Sequence, residues 1–264
     1  MKHNKGFTLL ELLLSIFATS LLISAIGGLY VSYMKSNMKM KELLTLRRQF
    51  AYANQLLEKD IHMAGFNLPG NGIQIDIATI DHTMFLLKNE QGLQTRLFQS
   101  AGTGDTYIFA ADAINVFSNV VSNDWVCLYN STSGTIEYLE IINDPEPQTD
   151  GSWRVSFGLE ALDNSWDFNN TDVYFAKAVR YSVDGTEPEV AFVRSTPQND
   201  FKISKDITKL VITPRDSIGM DLTGFFPGAD DRIRRVGIEL IKPIPDNTDN
   251  PISSSVEVSI RNFL

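Results

Sequence analysis

The chain has 264 residues, a formal net charge of −9 and one cysteine, enough for one membrane segment and a folded domain of about 200 residues. Residues 1–64 hold eight Lys/Arg against four Asp/Glu and the remainder 15 against 28, an acidic balance that argues against nucleic-acid binding by the distal part. The lone Cys127 excludes an intrachain disulfide, and its place in Trp125-Val126-Cys127-Leu128-Tyr129 predicts a buried small apolar side chain.

The segment Lys5-Gly6-Phe7-Thr8-Leu9-Leu10-Glu11 opens an apolar run that lasts to Met34, with Glu11 its only charge. A spanning helix needs roughly 20 apolar residues, so the run is long enough to cross a bilayer. An ionised carboxylate near the end of such a run costs a few kcal/mol unless it meets a partner. Cleavage between Gly6 and Phe7 would create one, because the new amine on Phe7 lies about one helical turn from Glu11, in its own chain or a neighbour. Small Gly6 leaves room for a peptidase, and Lys2 and Lys5 make the leader basic. An ordinary secretory signal has an apolar core of roughly 7–15 residues, about half of this run.

At these residues the chain resembles a type IV prepilin, whose motif is a Gly, then Phe, Thr, Leu, and a Glu four positions beyond the Phe. The resemblance implies cleavage after Gly6 by prepilin peptidase, N-methylation of Phe7 and storage in the inner membrane with the domain outside the cytoplasm. It also implies polymerisation into a surface pilus, with Glu11 recruiting and registering subunits. The implied partners are other minor pilins, the major pilin, the inner-membrane assembly platform and membrane lipid.

Beyond Met34, Lys35, Lys39, Lys41, Arg47 and Arg48 form a basic flank suited to anionic headgroups. This flank is more basic than the leader and by itself favours the opposite orientation; the resemblance implies leader inside. Leu43, Leu46, Phe50, Ala53, Leu57 and Ile61 recur at spacings of three and four, and no proline interrupts Phe7–Ala64. The pattern predicts one helix of about 58 residues, roughly 87 Å long, stopped by Gly65 and then Pro69-Gly70. Within its membrane half, Gly27-Gly28 supplies either a place to bend or melt or a close packing contact between helices.

After Pro69 the periodicity changes to alternation. Strands are predicted at 73–77, 106–110, 125–130, 135–142, 153–157, 173–183, 189–194, 207–213, 234–242 and 255–261. Turn-rich stretches separate them, among them 143–147 and 245–251. The expected fold is α+β: a long N-terminal helix packed against a C-terminal antiparallel β-sheet domain, pilin-like in plan. The expected organisation is a leader at 1–6, a membrane or filament-core half-helix at 7–34, an amphipathic half-helix at 35–64 and a β-rich domain at 65–264.

The segment Leu56–Phe66 is similar to the helix end of PilW-type minor pilins, where an Ala-Gly-aromatic turn follows mixed charges. Asp206–Ile212, Arg232–Leu240 and Val256–Asn262 resemble strands near the end of that group. J-type pseudopilins of type II secretion systems share the same general plan.

Catalytic patterns are scarce. The histidines are His3, His62 and His82, with no H-E-x-x-H, G-x-S-x-G or phosphate-binding glycine loop. Ser36-Asn37-Met38-Lys39 fits S-x-x-K without its companion motifs. Glu58, Asp60 and His62 read as a solvated cluster at the helix end. Carboxylate-rich loops at Asp163–Asp167, Asp230-Asp231 and Asp246–Asp249 lack the spacing of a calcium loop. No cofactor is expected, calcium being the one ion these loops would suit. The expectation is a structural protein: a minor pilin that helps to initiate a type IV pilus. The alternatives are a J-type pseudopilin and a pilus-borne adhesin using Phe225-Phe226 or Trp166 as contacts. A tethered enzyme would need a His and carboxylate pocket around His82.

Overall fold

The computed structural model describes residues 9–76, 82–111, 116–158, 161–185, 190–197, 199–218, 220–222, 233–244 and 247–260, and of 243–244 and 247–250 the backbone only. The chain divides into two units, residues 1–49 and 50–264. Helix α1 runs from Leu9 to Met63, in agreement with the uninterrupted pattern read from Phe7 to Ala64. It ends where Gly65 takes φ +76°, a conformation open to glycine at low cost. A Cβ on Gly65 would lie 2.6 Å from the carbonyl oxygen of Gly70, so the stop is held by both backbone sign and space.

In the second unit, Phe50, Ala53, Leu57 and Ile61 of α1 are buried, as the three-and-four spacing predicts. The main sheet has the order β1 (Ile73–Asp76), β2 (Thr83–Lys88), β9 (Thr171–Asp184), β10 (Ala191–Ser195), β11 (Asp200–Ser204). The 14-residue β9 is its spine. On one edge it pairs with β2 and with β3 (Gln94–Arg96). On the other it pairs with β10 through its C-terminal half and with β5 (Trp125–Asn130) through its N-terminal half. Outside β5 lies β6 (Ile136–Glu140). A second sheet is β12 (Lys209–Arg215), β13 (Arg235–Ile244), β14 (Asn247–Ser259), and a third is β4 (Tyr107–Ala111), β8 (Ser152–Ser156), β7 (Glu146–Pro147). Every strand pairing is antiparallel.

Alternating burial along β12, with Leu210, Ile212 and Pro214 inward, is the expected signature of a sheet with one covered face. The largest core gathers Ile108, Phe117, Leu128, Val155, Trp166 and Phe175 among others, with Phe117 stacked on Trp153 at 4.7 Å. Cys127 is fully buried, as its apolar neighbours imply.

Several expectations change. The strands β3, β7 and β11 lie outside the predicted ones, β7 inside the turn-rich stretch 143–147. Leu43 is exposed, so it is not part of the buried stripe. The strand β2 was not foreseen, because Met84-Phe85-Leu86-Leu87 is a continuous apolar run without alternation. The stretch 245–251, read as a loop, contains the start of β14 at Asn247; Pro251 is tolerated there because β14 is the edge of its sheet.

Candidate functional site: the N-terminal helix

In the first unit, α1 carries its apolar residues around its whole circumference. Leu9, Leu10, Leu13, Phe17, Leu21, Ile23, Ile26 and Leu29 are all exposed, and the helix is long and apolar enough to cross a membrane. A helix apolar all round is stable only when lipid or other helices surround it. Its hydroxyls fit that setting: Ser15 Oγ donates to Leu12 O at 2.9 Å, Thr19 Oγ1 to Ser15 O at 2.7 Å and Ser20 Oγ to Phe17 O at 2.8 Å. Each donor is satisfied within the helix, which removes most of the cost of placing it in hydrocarbon. The sequence reading passed over these three residues, although hydroxyls on a helix can always reach back to a carbonyl three or four positions earlier.

Glu11 lies in the first turn of α1, where the positive end of the helix dipole favours a carboxylate. Gly6 and Phe7 lie outside the described residues. The helix continues through Gly27 and Gly28, and a Cβ at either position would meet open space, so neither glycine is required by packing within this chain. Lys35, Lys39, Lys41, Arg47 and Arg48 are exposed.

The helix end differs from the solvated cluster expected there. Glu58 is exposed and 3.8 Å from His62, but Asp60 is buried and accepts from Arg194 Nε and Tyr181 Oη, each at 2.7 Å. Burial, then the charge of Asp60, pushes the Tyr181 phenol well above the usual range. Its hydrogen bond to Asp60 raises Arg194 further. The signal was present in the spacing: Asp60 stands on the inward stripe between Leu57 and Ile61.

The other candidates resolve as follows. Trp166 is 2% exposed and its Nε1 donates to Glu137 Oε2 at 2.9 Å, so it is a core residue and offers no contact surface. Phe225-Phe226 lie outside the described residues, as do His3, Asp230-Asp231 and Asp246. The loop 163–167 is organised by the same Glu137, whose carboxylate also accepts from Asp163 N at 2.7 Å and Asn164 Nδ2 at 3.2 Å. His82 Nδ1 accepts from the backbone N–H of Ile212 at 2.9 Å, a tie between β12 and the chain entering β2. Among the described residues no group of three His, Cys, Asp or Glu side chains is placed to hold a metal.

Residues 1–27 match the sequence model of a family described as the prokaryotic N-terminal methylation motif. No curated protein and no solved structure matches the chain. The matched segment contains Gly6, Phe7, Glu11 and the start of α1; over these residues the chain is type IV prepilin-like, and the helix they open is long and apolar enough to cross a membrane.

Proposed function

We propose that the protein is a minor pilin, processed between Gly6 and Phe7 by prepilin peptidase and N-methylated on Phe7, which helps to initiate a type IV pilus. The observation that carries the reading is the methylation motif over residues 1–27 on a helix whose exposed apolar surface needs first lipid and then neighbouring helices. In this reading the subunit is stored in the inner membrane by Leu9–Met34 and joins other pilins at the cell surface. Glu11 meets the amine of a Phe7 during docking. Gly27-Gly28 is the zone where the helix loosens inside the filament. A β-rich portion of about 200 residues suits a subunit present in few copies, and the role is structural, with neither catalysis nor a cofactor.

Mass spectrometry of the mature N-terminus from membrane and sheared-surface fractions tests this. N-methylated Phe7 in both fractions is the expected result. An intact Met1, cleavage at another bond, or confinement to the membrane would overturn the proposal.

A further inference from the structure

Between Asp172 and Tyr181 the strand β9 is laddered along both edges except at one residue. An antiparallel strand points the N–H and C=O of alternate residues to opposite edges. The Thr171 carbonyl accepts from Leu97 N at 3.4 Å and Phe175 N–H donates to Leu93 O at 3.0 Å, so odd-numbered residues of β9 face the β2 and β3 edge. Ala178 therefore points its peptide groups to the opposite edge. Its β2 neighbour Leu87 agrees, since Leu87 N–H donates to Gly72 O at 2.7 Å and its carbonyl accepts from Gly65 N at 2.9 Å, away from β9.

On the edge that Ala178 faces, β10 ends at Ser195 opposite Arg180 and β5 begins at Trp125 opposite Ala176. Extending the β10 register would set Pro197 opposite Ala178, and proline has no N–H to give. Extending the β5 register would set Asn123 there, but Asn123 has φ +66° and donates its N–H to Ile141 O at 2.7 Å. Among the described residues no strand pairs with Ala178 on this edge.

Two cavities open at the break and share Ala178, Thr196 and Pro197, one of about 220 Å³ reaching Asp124 and one of about 320 Å³ reaching Arg180 and Ser195. Three buried polar atoms on these walls have no partner: Asp124 Oδ1, Arg180 Nε and Ser195 Oγ. The Asp124 side chain is 2% exposed, where an unmatched acceptor is costly. Every cation on these walls already has a carboxylate, Lys88 on Glu90 and Lys177 on Asp124 at 2.7 Å each, Arg180 on Asp184 at 2.6 Å and Arg194 on Asp60 at 2.7 Å, while Glu140 and Asp200 add negative charge to the larger cavity. The break thus offers hydrogen-bonding groups of both kinds and no cation without a carboxylate, which matches a peptide main chain better than an anion.

We propose that the break opposite Ala178 docks an extended peptide segment of another polypeptide, free of acidic side chains, whose central residue exchanges two main-chain hydrogen bonds with Ala178. The slot is three residues long, roughly 10 Å at 3.4 Å per residue. The central residue is small, because Phe85 and Trp125 close over this face of the sheet with ring centroids 5.1 Å apart. Strand addition of this kind takes its affinity from the main chain and its selectivity from flanking side chains. The inference rests on the β9 ladder and is independent of the N-terminal motif.

The test titrates the full chain in detergent micelles with capped tripeptides that have Ala or Gly at the centre and follows the Ala178 amide by ¹⁵N NMR hydrogen exchange. The bound peptide is expected to slow Ala178 exchange about tenfold. N-methylation of its central residue is expected to abolish binding, and Ser195→Ala to weaken it about fivefold. Ser195 Oγ has no partner to lose, so the variant is expected to fold normally. The proposal is overturned if Ala178 exchanges as slowly as Val179 in the free chain, if no tripeptide alters its exchange, or if binding is indifferent to both N-methylation and Ser195→Ala.

Discussion

Asp60 of α1 and Arg194 of β10 form an ion pair of 2.7 Å between residues 134 positions apart in the chain. It is the charged link between the last turns of the helix and the main sheet, and Tyr181 Oη completes the same carboxylate oxygen at 2.7 Å. Removing one partner strands the other in a buried site. Asp60→Ala is therefore expected to destabilise the folded chain by roughly 3–5 kcal/mol, read by thermal unfolding in detergent. The paired replacement Asp60→Leu with Arg194→Met should recover most of that loss, and an additive result would show that the two side chains do not act together.

Tyr181 gives a pH dependence with a definite sign. Its phenol is raised above the ordinary value near 10, so in alkali the unfolded state loses its proton first and the native state holds more protons. Stability must then fall with rising pH, by about 1.4 kcal/mol per pH unit from this group above pH 10. Below pH 10 both states are protonated and the group contributes no slope. Tyr181→Phe should lower stability at neutral pH through the lost bond to Asp60, yet show a shallower alkaline decline than the parent. Equal slopes for the two proteins would remove Tyr181 as the cause.

Glu137 holds the loop 163–166 through three donors, two of them on one oxygen. Glu137→Gln replaces one acceptor by a donor and sets an N–H against an N–H. The expected cost is about 1–3 kcal/mol, seen in the denaturation midpoint. Limited proteolysis should cut the loop near Asp163 sooner than in the parent, and unchanged cleavage would mean that the loop is held by other contacts.

At the N-terminus, Gly6→Leu is expected to leave unprocessed protein in the membrane, detected by its intact mass. Glu11→Ala should be processed normally and be recovered from sheared filaments in a yield reduced about tenfold, the equivalent of 1.4 kcal/mol in incorporation. Normal recovery would remove Glu11 from assembly.

Much of this protein was legible before folding because its strongest signals are one-dimensional. An apolar run with one carboxylate, preceded by Gly6-Phe7 and followed by three-and-four spacing to Ile61, states a long anchor helix whatever the distal part does, since helical hydrogen bonds and bilayer thickness depend only on nearby residues. The strand at 125–130 and the one read at 207–213, observed at 209–215, were legible for a similar reason, their alternation or aromatic and β-branched content sufficing without knowledge of the neighbours. Tertiary structure alone decided the rest. Which face of Asp60 meets Arg194, why Trp166 is core and why Ala178 stands at a break in the ladder all depend on contacts between residues 15 to 134 positions apart. Pairing energy at such separations is set by the geometry of the assembled sheet, and a charged residue such as Asp60 looks solvated until the partner that neutralises it is brought alongside.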